Sequence, residues 1–245
     1  MRRIKITIAY DGGGFHGWQV QPGLPTIQGI LEEVISEIEG KAVQVAGSGR
    51  TDAGVHALGQ VGAFTLENPI PLANLKRAMN RLLPPVVRIL HLEEAAPNFH
   101  PRFDAHSKTY EYRVVRDEVC SPFVWPYVHH YPYPLEEHRI AQLAPVFEGT
   151  HDYSAFAAAD DSDEEGKSRV RTIYSSVLEL DAGRLVYRVR GSGFLKHMVR
   201  NLVGTLIEAG KGNIADLTSL PEKSGPTAPA KGLFLIEVDY RNGRE

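Results

Sequence analysis

The apolar residues of this 245-residue chain change their period in a fixed order, and the order occurs twice. Ile4, Ile6, Ile8 and Tyr10 alternate with Lys5, Thr7 and Ala9, the period of a half-buried strand. Asp11-Gly12-Gly13-Gly14 ends it. Ile27, Ile30, Leu31, Val34, Ile35 and Ile38 then recur at helical spacing, and Gly40 suits the position just past the helix end. Val43 to Ala46 and Gln60 to Leu66 read as strands. Leu72, Leu75, Met79, Leu82 and Leu83 share one face of a helix that Pro84-Pro85 stops. Val86 to Leu92 reads as a strand, which completes β-α-β-β-α-β.

The second pass starts with a strand over Lys108 to Arg116. A helix is predicted over Glu136 to Glu148, weakened near its end by Pro145, which lacks an N–H. Arg171 to Leu180 and Arg184 to Arg190 form a hairpin through Asp181-Ala182-Gly183. Phe194 to Ala209 carries a wide apolar stripe at helical spacing, and Gly210 ends it. A short helix over Ile214 to Leu220 and a strand over Leu233 to Tyr240 follow. The expected fold is therefore α+β: two ferredoxin-like halves with antiparallel sheets, residues 1–105 and 106–245. The halves share the pattern and no sequence identity. Helices on one face of each sheet leave the other face free, an arrangement RNA-binding sheets use. The topology alone says little about function.

Composition narrows the class. No stretch approaches the roughly 18 consecutive apolar residues of a membrane helix. The N-terminus alternates basic and apolar residues without a continuous apolar run, so no signal peptide is expected. Cys120 is the single cysteine, which excludes an intrachain disulfide and multi-cysteine metal sites and points to a reducing, cytoplasmic setting. Net charge is −3, yet five of the 30 acids fall between Asp160 and Glu165, leaving 25 against 27 bases elsewhere. A basic surface is compatible with that distribution, because a partner feels the local field.

The most unusual segment is Ala46-Gly47-Ser48-Gly49-Arg50-Thr51-Asp52-Ala53-Gly54-Val55-His56-Ala57, between two predicted strands. Small residues let a ligand or another backbone approach closely. A cation, a hydroxyl and a carboxylate stand at its centre. It reads either as a polar loop with a local Arg–Asp pair or as a reactive carboxylate on a glycine-framed loop. It lacks the Gly-Lys-Ser/Thr ending of a phosphate-binding loop.

Gly49-Arg50-Thr51-Asp52-Ala53-Gly54-Val55-His56 resembles the signature of the tRNA pseudouridine synthase A family. Three further segments resemble that family in order and spacing. They are Tyr10-Asp11-Gly12 with Phe15-His16-Gly17-Trp18-Gln19, Phe99-His100-Pro101-Arg102-Phe103 leading to Lys108-Thr109-Tyr110-Glu111-Tyr112-Arg113, and Phe194-Leu195-Lys196-His197-Met198-Val199-Arg200-Asn201-Leu202-Val203-Gly204. The resemblance spans about residues 4 to 240.

It implies isomerisation of uridine to pseudouridine at positions 38, 39 and 40 of the tRNA anticodon stem-loop, by a homodimer. It implies no cofactor and no metal. Asp52 matches the family's catalytic aspartate, and attack at the base, attack at the ribose and assistance of elimination all remain open to it. Arg200 matches the arginine of the C-terminal helix and is expected to partner Asp52, since a nearby guanidinium favours the ionised carboxyl. Tyr110 matches the active-site tyrosine and is expected to stack on the uracil, with Tyr112 in the core. Arg50 is expected to fill the space of the extruded nucleotide or to hold its phosphate. Lys196 is expected one helical turn before Arg200, on its face.

Other candidates are weaker. His56 follows Asp52 by four, but on a loop that spacing does not align them. His100, His106 and His129-His130 lack metal-ligand spacing. Trp18, Gln19 and Gln21 are candidates for RNA contact, or Trp18 for a loop anchor. Lys167, Arg169 and Arg171 could line an RNA groove. The acidic run is expected away from the RNA or in a mobile segment. The rival readings are a pseudouridine synthase with another RNA target and a non-catalytic RNA-binding protein of paired modules. The latter should carry a Lys/Arg-Gly-aromatic sheet motif, which is absent.

Overall fold

The computed structural model describes residues 1–158, 168–181, 183–214 and 219–240. The strands are β1 (Arg2–Tyr10), β2 (Ala46–Gly47), β3 (His56–Leu66), β4 (Val87–Glu94), β5 (Ser107–Val115), β6 (His129–His130), β7 (Gly149–Asp152), β8 (Val170–Asp181), β9 (Arg184–Gly191) and β10 (Leu233–Asp239). The helices are α1 (Ile27–Glu39), α2 (Leu72–Leu82), α3 (Glu137–Leu143) and α4 (Met198–Gly210). The chain divides into two compact units, Met1–His106 with the stretch that begins at Leu235, and Ser107–Phe234.

In the first unit the strand order is β4-β1-β3-β10, and β2 also pairs with β3. β1 runs antiparallel to both neighbours, with Ile4 opposite Phe64 and Ile6 opposite Leu92. Its alternation is realised in full: Ile4, Ile6, Ile8 and Tyr10 are all buried. Thr26 caps α1 by accepting a hydrogen bond from Gly29 N–H, and Gly40 N–H returns to Ser36 O. Ile27, Leu31, Val34 and Ile35 form its buried stripe. α2 stops where Leu83 turns extended ahead of Pro84.

The strand expected over Val43 to Ala46 is corrected. Only Ala46 and Gly47 pair with β3. Val43 and Val45 are buried, as the alternation required. Their amides, however, donate to α1 side chains, Val43 N–H to Ser36 Oγ at 2.9 Å and Val45 N–H to Glu32 Oε1 at 2.9 Å. β3 also begins at His56, four residues earlier than expected, because nearly every position from His56 to Leu66 is buried and no clean alternation marks its start.

In the second unit the order is β5-β9-β8-β7, all antiparallel, with β6 lying parallel to β5. β8 and β9 form the predicted hairpin. The helix expected over Glu136 to Glu148 ends at Leu143, and Ala144–Phe147 tightens into a 3₁₀ turn at Pro145. The helix expected from Phe194 starts four residues later, at Met198. The residue before it, His197, has φ 61°, which breaks the helical path. Residues 215–218 of the short helix expected over Ile214 to Leu220 lie outside the described residues, as does the acidic run.

Both units thus alternate helices with antiparallel strands in the α+β pattern read from the sequence. In the first, β4-β1-β3-β2 is the ferredoxin-like order. In the second, β5-β9-β8 repeats its β1-β3-β2 portion. Among the described residues no helix is long and apolar enough to cross a membrane.

Candidate active site

Arg50 and Asp52 lie on the loop from β2 to β3 in the first unit, and its backbone is held at three points. At the start, Ser48 N–H donates to Val61 O at 2.8 Å and Ser48 Oγ donates to Gln60 Oε1 at 2.6 Å. In the middle, Thr51 O accepts from Trp18 N–H at 3.0 Å, while Thr51 Oγ1 lies 2.8 Å from Tyr10 Oη. At the end, Val55 N–H donates to Asp52 O at 3.1 Å, closing a four-residue turn with Gly54 at φ 77° in its third position. That is the position at which a type II turn requires positive φ.

Two segments that are distant in sequence shape this loop together. Gly17 has φ 87°, and a Cβ there would stand 2.6 Å from Thr51 O. Gly12 backs onto the Val55 carbonyl with no space for a side chain. The glycines of the first motif are therefore the floor on which the second motif sits. Trp18 is only 2% exposed, with its ring 6.4 Å from that of Tyr10. It is the loop anchor of the two roles considered. Gln19 and Gln21 bind locally, to Gln28 and to the His16 carbonyl.

On this fixed backbone Asp52 is half-buried and Arg50 is exposed. A carboxylate on a pre-set turn needs little further ordering to meet a substrate. His56 is buried. Its Nδ1 lies 3.1 Å from Gly12 N and 3.1 Å from Asp11 Oδ1, so it organises the 11–13 loop.

Tyr110, Lys196 and Arg200 belong to the second unit. Tyr110 on β5 is 7% exposed, and its ring meets Phe194 edge-on at 5.1 Å. Tyr112, two residues on, is fully buried, donates to Pro229 O at 2.8 Å, and has its hydroxyl pKa pushed up by burial, against the lowering charge of Arg200. It is a core residue, as its strand position predicted. Arg200, in the first turn of α4, is half-buried and donates from Nε to Ala228 O at 2.7 Å. Lys196 is corrected: it precedes the helix, so it does not share a helical face with Arg200. Its carbonyl accepts from Ala158 N–H at 3.0 Å. His197 is the one non-glycine residue with positive φ among the described residues. Such strain persists only where the surroundings impose it. Arg169 and Arg171 flank the start of β8, and Lys167 lies outside the described residues.

Sequence reasoning missed three contributors: Gln60 beneath the loop, Phe194 against Tyr110, and the 225–229 segment beside α4. Gln60 had a signal, a polar side chain inside a near-continuous apolar run. The other two became visible only once the elements met.

A model for tRNA pseudouridine synthases matches residues 6–104 and 143–241 of this chain. The chain belongs to the tRNA pseudouridine synthase family. It is 72% identical over 240 residues to tRNA pseudouridine synthase A of Solibacter usitatus, covering 98% of this chain and 100% of that one. It is 43% identical over 252 residues to the protein of that name from Limosilactobacillus fermentum, covering 98% and 96%. It is 43% identical over 251 residues to that of Myxococcus xanthus, covering 99% and 94%. As a pseudouridine synthase it is an enzyme of the isomerase class. The glycine-framed loop lies inside the first matched segment and α4 inside the second, while Tyr110 falls between them.

Proposed function

We propose that this enzyme converts uridine to pseudouridine in the tRNA anticodon stem-loop, at positions 38, 39 and 40, with Asp52 as nucleophile. The observation that carries the reading is the loop itself. A half-buried carboxylate stands on a turn whose backbone is clamped before and after it.

The reaction is balanced without a second substrate. The bond between N1 and C1′ breaks, the base turns, and C5 bonds to C1′. The proton lost from C5 is matched by one gained at N1, so no redox partner is required. Asp52 supplies the nucleophile. The Tyr110 ring stacks on the extruded uracil. Arg50, exposed two residues before Asp52, holds the RNA backbone or fills the vacated stack. Arg200, half-buried in the first turn of α4, binds the substrate. The enzyme acts as a homodimer in the cytoplasm.

Incubation with unmodified tRNA, followed by mapping of pseudouridine by site, tests this. Product at positions 38 to 40 is expected. Product confined to another RNA or another tRNA region would overturn the substrate assignment, and none at all would overturn the activity.

A further inference from the structure

Beneath the Asp52 loop lies a buried polar chain that runs from β3 to β1 and back to the loop. Gln60 is fully buried, and its amide is used at every position. Its Oε1 accepts from Ser48 Oγ at 2.6 Å and from Val61 N–H at 3.1 Å. Its Nε2 donates to Gly49 O at 3.1 Å and to Tyr10 Oη at 3.5 Å. This arrangement decides the orientation of the amide, because both oxygen partners are donors and the carbonyl of Gly49 can only accept. The hydroxyl of Tyr10 therefore receives a hydrogen from Gln60 at 3.5 Å, and its own proton is available to Thr51 Oγ1, 2.8 Å away, where either hydroxyl can be the donor. Burial pushes the Tyr10 pKa up to about 12, so that proton is in place throughout the neutral range.

Thr51 is the residue before Asp52. Its side chain answers to Tyr10 and its carbonyl to Trp18. We propose that Tyr10 is a positioning residue for the reaction: its hydroxyl, oriented by Gln60, holds Thr51 and so sets the place of the Asp52 carboxylate. The inference rests on the reading of Asp52 as nucleophile. A polar network in a water-excluded site is rigid when every member is satisfied. Small displacements of a reacting group cost large factors in rate.

The test compares Tyr10→Phe, Thr51→Val, Thr51→Ser and the Tyr10→Phe/Thr51→Val double variant, each in the full chain. Single-turnover pseudouridine formation on an unmodified tRNA transcript is measured beside the Kd for that tRNA. Tyr10→Phe and Thr51→Val are each expected to slow the chemical step by about tenfold or more while Kd stays within about twofold. Thr51→Ser keeps the hydroxyl and should restore most of the rate. The double variant should be no slower than the worse single one, because both remove the same bond. An unchanged rate in Tyr10→Phe, an additive double variant, or equal losses of rate and tRNA affinity would each overturn the proposal. Asp52→Asn, run alongside, separates the two levels. If it stays active, the nucleophile assignment falls and the positioning role with it. If it is inactive while Tyr10→Phe is fully active, only the positioning role falls.

Discussion

Arg200 and Ala228 bind each other twice. Arg200 Nε donates to Ala228 O at 2.7 Å, and Ala228 N–H donates to Arg200 O at 3.2 Å. The 225–229 segment is thereby fastened to the first turn of α4, and the guanidinium is held by its inner nitrogen. Thr227 Oγ1 adds a bond to Asn201 Oδ1 at 2.6 Å.

Arg200→Lys tests that geometry. Lysine keeps the charge but has no Nε–H at the stem and no planar fork. Turnover on tRNA is expected to fall by about tenfold or more. Near-normal turnover would show that charge alone suffices and would remove the need for the Ala228 contact.

Asp52→Asn keeps the shape of the side chain and removes its charge and nucleophilicity. Pseudouridine formation is expected to be lost and tRNA binding retained, because phosphate contacts dominate affinity. Paired turnover and binding assays check this. Substantial turnover would reject the nucleophile assignment.

Tyr110→Ala removes the ring that stands against Phe194, and is expected to abolish product formation. Tyr110→Phe preserves the edge-on contact and deletes only the hydroxyl. Activity as low as in the alanine variant would assign the hydroxyl to proton transfer, and activity close to the parent would assign stacking alone. Normal turnover in both would place Tyr110 in the core and nowhere else.

His129 governs part of the acid stability. Burial chiefly, with the charges of Lys231, His130 and Lys211, lowers its pKa from 6.5 to about 4. Its buried Nδ1 has no hydrogen-bond partner among the described residues. The unfolded chain therefore binds a proton below about pH 6.5 that the folded chain refuses until about pH 4. The stability associated with this neutral ring is present above the first value and is lost as pH falls to the second. His129→Gln should flatten the decline of Tm between these limits. Parallel Tm curves for parent and variant across that window would refute the assignment.

Elements built on one period were legible in the sequence. β1, α1 and α2 follow from spacing alone, since burial of one face depends only on which residues lie two, or three and four, positions apart. The Asp52 loop was legible for a similar local reason, as glycines frame a cation, a hydroxyl and a carboxylate within a few residues. Local pattern misled where a distant group settled the outcome. Val43 and Val45 alternate like a strand, yet their amides go to Ser36 and Glu32 on α1. The apolar stripe of α4 runs back to Phe194, yet the chain turns at His197, so Lys196 leaves the helix. The bond from Tyr10 to Thr51 spans 41 residues. Periodicity carries no information about such a pair, because hydrogen bonds across that separation exist only after β1 and β3 have paired and brought both ends to the same place. The primary structure names the reactive groups, and the packing of strand on strand determines which of them are held still.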